Sequence, residues 1–362
     1  MLGFSLFSSA ATKGKNTVDN LKEEFKKIFE KIQCLDRTQK FEWFQACGRP
    51  DLKHGFMVVG RAVNSWKEFT ADKKFEDLYE PEPSPLEESE DGGIASFFSR
   101  YGYNINGSAF WRTVRSIAKG LYPCDDGNFG KKLIYSNLYK IALPGQNPPP
   151  ALQKLQLLQS INILRKEILF WEPSFILFLT DWNWAEPFLT APEMNFTPII
   201  SPYDQLKACG ILFNGCRIAV IPHPQGKKER LLAGQTIAFF HDFEKLYAEI
   251  ASVSGGLERK WYFNSVSEEI LFSKPPIWNH IPLPLLIQTD LNLQCFRVGI
   301  WSRDKIFLPL CQILSQKLNR AFQCNSAWTG GYTEVKFCIA NDATSGLVKL
   351  VRDIYQSLRV NG

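Results

Sequence analysis

The chain has 362 residues, of which 45% are hydrophobic, so it is long enough to form two domains with packed cores. The formal net charge at pH 7 is only +5, but residues 71–91 contain nine Asp or Glu and two Lys. That segment therefore carries −7, and the difference leaves +12 on the rest of the chain. A basic body with an acidic loop suits a polyanionic partner such as nucleic acid, although many mildly basic proteins have no such partner.

The distribution of the cysteines and the length of the apolar runs bear on the cellular location of the protein. The nine cysteines are far apart, odd in number and without a CxxC pair, which predicts a reduced, cytoplasmic protein. Residues 1–15 lack a charged segment before an apolar run, and the apolar runs are far shorter than the roughly 20 residues of a membrane span. We therefore expect no signal peptide and no transmembrane helix.

The first third of the chain contains two helix candidates and one strand candidate. Residues 17–34 have apolar side chains near helical spacing, which predicts an amphipathic helix that packs on the main domain. Residues 53–60, KHGFMVVG, are the first strand candidate. An exposed acidic, Pro-rich insertion is expected at 79–93. After it, Ser108 can cap a helix whose apolar face begins at Phe110.

The middle of the chain alternates between strands and helices. Strands are predicted at 131–142, 175–180 and 218–221, and helices at 151–170, 184–189 and 236–250. This succession implies an α/β fold with a parallel sheet and helices on both faces. The strand ends would then share one edge of the sheet, where ligands bind in open α/β proteins. Those ends are Gly60, Asn137, Thr180 and His223.

Four segments of this region occur in a recognisable order. They are GRAVN at 60–64, YSNLYKIALPGQNPPP at 135–150, EPSFILFLT at 172–180 and IPHPQG at 221–226. Their order and separation resemble the uracil-DNA glycosylase superfamily, and the second segment is most similar to its bacterial and archaeal iron–sulfur branch. The fragment YNINGSAFWRTV is similar to the mismatch-specific branch. The resemblance covers residues 50–250 and implies a three-layer, parallel-sheet domain that removes bases from DNA.

The resemblance implies that the loop after the first strand activates water and contacts the substrate. Gly60, Arg61 and Ala62 are the expected substrate-binding residues of this loop. The family's usual carboxylate is absent here, and Asn64 is expected to orient the catalytic water instead. Strict uracil removers carry a Tyr at the position of Asn64, where it blocks substituents at pyrimidine C5. The smaller Asn64 therefore implies room for a bulkier base.

The same resemblance implies roles for residues on the other loops. Tyr103 matches the aromatic residue that stacks on the base, and Asn137 matches the Asn that reads the edge of the base. His223, which lies between two prolines on a stiff loop, matches the His that donates to a pyrimidine carbonyl oxygen. Gln225 replaces the usual Ser beside it and is expected to bind substrate. The residues expected to bind DNA phosphates are Lys227, Lys228 and Arg230.

Each assignment has a structural alternative. Asn137 could satisfy backbone groups at a strand end, and His223 could cap a helix or pair with a carbonyl group. Tyr103 and Trp111 could be ordinary core aromatics. Residues 227–230 could be a solvated turn.

No metal ion or other cofactor is expected. The Cys that the iron–sulfur branch carries in this region is replaced by Ile141, and no Cys pair precedes the first strand. The four histidines lack the spacing of zinc ligands, and no Gly-rich phosphate-binding motif occurs.

Three segments are predicted from these patterns. They are an N-terminal helical segment at 1–50, a catalytic domain at 51–255 and an accessory α/β domain at 256–362. Within the last segment, strands are predicted at 295–301 and 333–340, and helices at 306–321 and 347–358.

We therefore expect a monofunctional DNA glycosylase that flips out and excises a modified pyrimidine, leaving an abasic site. Bacterial members of the superfamily can serve in phage defence by removing hypermodified cytosines such as glucosylated hydroxymethylcytosine. The small residue Asn64 and the extra C-terminal domain are compatible with that role. Two alternatives stay open, namely repair of uracil or deaminated bases and a catalytically inactive DNA-binding module. The expected partner is double-stranded DNA with one flipped nucleotide, and no membrane partner is expected.

Overall fold

The computed structural model describes most of the first 261 residues and parts of the remainder. The described residues are 21–35, 38–49, 51–62, 67–80, 107–122, 129–201, 203–261, 267–272, 277–278, 281–282, 285–290, 295–301, 323–324, 332–338 and 343–359. The chain divides into two compact units. The first comprises Met1–Ala118 and Asp125–Lys227, and the second comprises Lys119–Cys124 and Lys228–Gly362.

This division differs from the three segments predicted from the sequence. The main change of unit falls between Lys227 and Lys228, whereas the sequence pattern placed a boundary at residue 255. A grouping of residues by proximity does not test which segments fold independently. The segments 1–50, 51–255 and 256–362 therefore stay a prediction.

The first unit is built on a mixed six-stranded sheet. Its strands are β2 (Phe56–Gly60), β4 (Leu133–Asn137), β6 (Phe175–Leu179), β7 (Thr197–Pro198), β8 (Ala208–Ile211) and β9 (Arg217–Ile221). Their order is β4-β2-β6-β9-β8-β7, and the first four are parallel, whereas β8 is antiparallel to both neighbours. The prediction of an α/β fold with a parallel sheet is confirmed at this level. The antiparallel pair β7–β8 was not predicted.

Helices cover both faces of the parallel strands because those strands are apolar on both faces. On one face, side chains of β2, β4, β6 and β9 form a core with helices α3 (Pro150–Trp171) and α4 (Trp182–Leu189). On the other face, Trp111 of helix α2 (Ala109–Leu121) contacts Tyr135, with ring centroids 5.0 Å apart. The four parallel strand ends are thereby held at one edge of the sheet.

A second core joins the N-terminal helix to the same unit. Residues 21–33 form helix α1, whose buried face packs with Leu152 and Ile163 of α3. A three-stranded antiparallel sheet contributes to this core, with the order β3-β1-β5. Its strands are β1 (Lys40–Trp43), β3 (Lys67–Thr70) and β5 (Ile141–Ala142). The predicted packing of an N-terminal amphipathic helix on the main domain is confirmed for the described residues.

The structure corrects two predicted elements. Residues 131–142 are not one strand, because β4 ends at Asn137 and the chain turns before β5, which pairs with β1 in the other sheet. The predicted helix at 236–250 is two helices, α5 (Glu229–Phe240) and α6 (Phe243–Ser254). They are separated at Asp242, whose φ of 58° lies in the left-handed region that interrupts an α-helix.

The second unit contains α5, α6 and an antiparallel sheet with the order β10-β11-β14-β15-β17-β16. The strands of that sheet are β10 (Leu257–Trp261), β11 (Ser267–Phe272), β14 (Leu285–Asp290), β15 (Cys295–Trp301), β16 (Gln323–Cys324) and β17 (Tyr332–Cys338), and a separate hairpin consists of β12 (Ile277–Trp278) and β13 (Ile281–Pro282). Helix α7 (Ala343–Arg359) packs against α6. The strand predicted at 295–301 is confirmed. The strand predicted at 333–340 and the helix predicted at 347–358 are confirmed to within a few residues. The helix predicted at 306–321 lies outside the described residues.

Among the described residues, the helices are all too short or too polar to cross a membrane.

Candidate functional site

The ends of β2 and β4 place Gly60 beside Asn137. These two residues are register partners on adjacent parallel strands. The Asn137 side chain is fully buried, and its Oδ1 accepts a hydrogen bond of 3.2 Å from the Tyr135 hydroxyl. A Cβ atom at residue 60 would overlap Oδ1, so only glycine lets the amide lie there. Among the described residues, Nδ2 of Asn137 has no hydrogen-bond partner.

A second group of polar contacts ties together the ends of β2, β6 and β9. Arg61 Nε donates to the Thr180 carbonyl oxygen at 2.8 Å, and Arg61 Nη2 pairs with the Asp181 carboxylate. The guanidinium also lies over the Trp184 ring, 5.4 Å from its centroid. The backbone N–H of His223 donates to Asp181 Oδ2 at 3.4 Å. Asp181 thus connects the arginine that follows β2 with the histidine that follows β9.

The backbone of Asp181 is in a conformation that is typical of glycine. Its φ is 66° and its ψ is 159°, a region in which a non-glycine residue costs about 1–3 kcal/mol. The Asp181 side chain is 35% exposed although it is ion-paired. Asp181 was missed in the sequence analysis. The available signal was a carboxylate directly after a buried parallel strand, at the sheet edge where ligands bind.

His223 is half-buried, and its environment favours the neutral imidazole. Burial lowers the pKa of His223, and the nearby positive charge of Arg61 lowers it further, whereas Asp181 opposes both effects. The backbone N–H of Gln225 donates to Nδ1 at 3.4 Å. A neutral imidazole that accepts at Nδ1 carries its proton on Nε2. His223 can therefore donate one hydrogen bond from Nε2 without carrying a net charge.

A series of aromatic contacts leads from Tyr135, the hydrogen-bond partner of Asn137, to His223. Tyr135 contacts Trp111 at 5.0 Å, Phe44 at 5.2 Å and Phe110 at 5.9 Å between centroids. Phe110 in turn lies 6.1 Å from the His223 ring. Trp111 is 3% exposed, in agreement with its alternative reading as a core aromatic. The polar groups of the site are thus bordered by buried aromatic rings.

A buried ion pair lies directly behind the end of β4. Lys140 Nζ donates to Ser136 Oγ at 2.8 Å and to both Glu167 oxygens at 3.0 Å, and both charged side chains are almost fully buried. Ser136 Oγ donates to Glu167 at 2.7 Å. Burial lowers the pKa of Lys140 and raises the pKa of Glu167, while their mutual attraction opposes both shifts. The pair fixes Ser136, the neighbour of Asn137, onto α3.

The other residues that were predicted to belong to the site differ in how buried they are and in which unit they lie. Ala62 is partly buried against the core of the first unit. The side chains of Gln225 and Lys227 are exposed on the loop after β9. In the second unit, Lys228 and Arg230 are exposed at the start of α5. Asn64 and Tyr103 lie outside the described residues, so their assigned roles stay predictions.

Within the described part of the chain, His, Cys, Asp and Glu residues form no group suited to hold a metal ion. Comparison with protein-family models and with curated proteins found no match to this chain.

Proposed function

We propose that the chain is a monofunctional DNA glycosylase whose parallel-sheet domain has the fold of the uracil-DNA glycosylase superfamily, and that it excises a modified pyrimidine. The observation that carries the proposal is that two possible donors stand at strand ends of one parallel sheet. They are the buried amide of Asn137, whose Nδ2 has no partner among the described residues, and His223, whose environment favours the neutral imidazole. An amide can read the edge of a flipped base, and a neutral imidazole can donate to its carbonyl oxygen.

The chemistry explains why these groups are useful together. When the C1′–N1 bond breaks, the base leaves with the bonding electrons and the sugar becomes an oxocarbenium ion, which water attacks at C1′. The Nε2–H of His223 stabilises negative charge on the departing base. Asp181 is the carboxylate nearest to His223 in the contacts described above, and we assign it to stabilise the positive charge of the sugar. Asn64 orients the attacking water.

DNA binding is assigned to the basic residues that follow His223. Lys227, Lys228 and Arg230 are exposed, and their charges can neutralise backbone phosphates while one nucleotide is flipped out. Because counterions are released on binding, affinity should fall as salt concentration rises. The biological role that fits a bulky base is phage defence through removal of hypermodified cytosine.

The test is base release from a panel of DNA duplexes. The duplexes contain uracil, a thymine mismatch, hydroxymethylcytosine or glucosylated hydroxymethylcytosine, and alkaline cleavage reveals abasic sites. We expect release of a modified pyrimidine by the unaltered chain and loss of release in His223→Gln. Preferential release of uracil would support repair instead.

The second candidate function is a catalytically inactive DNA-binding module, which is favoured by the absence of the family's carboxylate from the loop after β2. It predicts salt-sensitive DNA binding without base release from any duplex of the panel. In that case His223→Gln would leave DNA affinity unchanged.

A further inference from the structure

Two cysteines of the second unit are opposite each other on adjacent strands. Strands β15 and β17 are antiparallel, and their register pairs Cys295 with Cys338. Directly opposite residues of an antiparallel pair have Cα atoms about 4.5–5.5 Å apart. A disulfide bond requires a Cα separation of about 4.4–6.8 Å. The paired strands therefore already provide the backbone spacing of a disulfide at this position.

The other cysteines of the described residues do not share this arrangement. Cys324 on β16 is opposite Thr333 on β17, which lies about 17 Å along the strand from Cys338. In the first unit, Cys47, Cys209 and Cys216 are buried free thiols, and Cys34 is an exposed one. Within the described part of the chain, the register thus singles out one pair of cysteines.

The pair lies at one end of the antiparallel sheet. Cys295 is the first residue of β15, and Cys338 is the last residue of β17. On the next strand, Cys295 is opposite Asp290, the last residue of β14. The chain leaves the sheet at all three positions, and connecting segments nearly always run over the protein surface. The pair is therefore at a place that a small reagent can approach.

We propose that Cys295 and Cys338 are a redox-sensitive modification site, at which a low-molecular-weight disulfide such as oxidised glutathione produces a reversible disulfide bond. The thiolate of one cysteine attacks a glutathione sulfur and releases one glutathione thiolate. The thiolate of the other cysteine then attacks the protein sulfur of the mixed disulfide and releases the second. Two protein thiols are oxidised, one glutathione disulfide is reduced to two glutathiones, and the two protons pass to the departing thiolates.

The bond would stabilise the second unit. It would tie β15 to β17 across the long segment that connects them, and β17 is followed by α7. Closing a long loop lowers the conformational entropy of the unfolded chain and so favours the folded state. The cysteine distribution predicts a reduced protein, so we expect the bond only after exposure to an oxidant. This inference does not depend on base release, and its test requires no DNA.

The experiment identifies linked peptides in the full chain. The protein is incubated in glutathione buffers from fully reduced to fully oxidised, its free thiols are blocked with N-ethylmaleimide, and it is digested with trypsin without reductant. Trypsin cleaves after Arg297 and after Lys336, so Cys295 and Cys338 fall in separate peptides. Mass spectrometry should find these two peptides linked, at about tenfold or more the abundance of any other cysteine pair. Treatment with dithiothreitol should separate them.

Cys324→Ser is the matched control, because it removes a cysteine of the same sheet that lies outside the pair. It should leave the link unchanged, whereas Cys295→Ser should abolish it. Absence of the linked peptides at every glutathione ratio would overturn the inference. Glutathione adducts on both cysteines without a link, or equally abundant links of Cys338 to Cys295 and to Cys324, would do the same.

Urea unfolding tests whether the native strand pairing is the origin of the bond. The oxidised and reduced forms of the full chain are unfolded without added thiol and followed by tryptophan fluorescence. The oxidised form should unfold at a higher urea concentration, and Cys295→Ser should show no difference between the two treatments. An equal or lower midpoint for the linked chain would mean that the bond forms at the expense of the pairing of β15 with β17, which would refute the proposal.

Discussion

The buried pair of Lys140 and Glu167 gives a stability prediction that does not depend on the function. In Lys140→Met the side chain keeps a similar length but loses its charge, and Glu167 remains 2% exposed without its counter-ion. The folded protein can avoid a buried, unpaired carboxylate by binding a proton to it. Lys140→Met should therefore raise the pKa of Glu167 in the folded state well above its value in the unfolded chain.

The magnitude follows from the free energy of that protonation. One pH unit corresponds to 1.36 kcal/mol, so protonating a group with an ordinary pKa of 4.5 costs about 3.4 kcal/mol at pH 7 and about 0.7 kcal/mol at pH 5. The value at pH 7 falls in the range of about 3–5 kcal/mol by which removing one partner of a buried ion pair destabilises a protein. Because the folded state binds the extra proton, this variant loses stability as pH rises above 4.5.

The assay is urea unfolding at pH 5 and pH 7, followed by tryptophan fluorescence. Lys140→Met/Glu167→Gln removes both charges, so it should recover most of the loss and abolish its dependence on pH. Lys154→Met, at an exposed position of α3, controls for the loss of a lysine and should stay within about 0.5 kcal/mol of the unaltered chain. If Lys140→Met lowered the free energy of unfolding by the same amount at both pH values, the reasoning would be refuted.

Four further predictions concern the candidate site. Gly60→Ala should displace the Asn137 amide and reduce the rate of base release by about 100-fold or more. Single-turnover kinetics measure the rate, and thermal unfolding controls for a loss of stability. An unaltered rate would mean that the position of the amide is not needed. Burial lowers the pKa of His223, so between pH 5 and pH 7 the folded state binds fewer protons than the unfolded state, and the free energy of unfolding rises with pH. His223→Gln should flatten that rise, which is tested by measuring the free energy of unfolding across the interval. Asp181→Asn should lower the base-release rate by about 100-fold with little change in DNA affinity, measured by fluorescence anisotropy, and equal losses of rate and affinity would argue for a role in DNA binding. Asp181→Gly, which relieves the backbone strain, should be more stable than Asp181→Ala by about 1 kcal/mol in urea unfolding.

Much of the first unit was predictable because its strands carry a local signal. The apolar runs at 56–60 and 217–221 are short, flanked by Gly or Pro, and buried on both faces, as parallel strands are. Strand direction then followed from the intervening helices, which require parallel crossovers. The positions of Gly60, Asn137 and His223 at strand ends were therefore expected from the sequence.

Local signals failed where long-range pairing decided the structure. Residues 131–142 have the composition of one strand, yet Lys140 turns inward to meet Glu167, which is 27 residues away, and β5 joins β1 in another sheet. The alternation of apolar and polar residues along a strand contains no information about such a distant partner. The split between α5 and α6 likewise depends on one left-handed residue, Asp242, rather than on apolar spacing.

The sequence by itself determined the parallel strands and the polar residues at their ends, because burial on two faces and the breaks at Gly and Pro are local properties. Tertiary structure alone decided how those residues are oriented. It set Asp181 between Arg61 and His223, and it turned the oxygen of Asn137 towards the hydroxyl of Tyr135. Hydrogen-bond direction depends on atoms brought together from separate strands, and for that reason no spacing in the sequence encodes it.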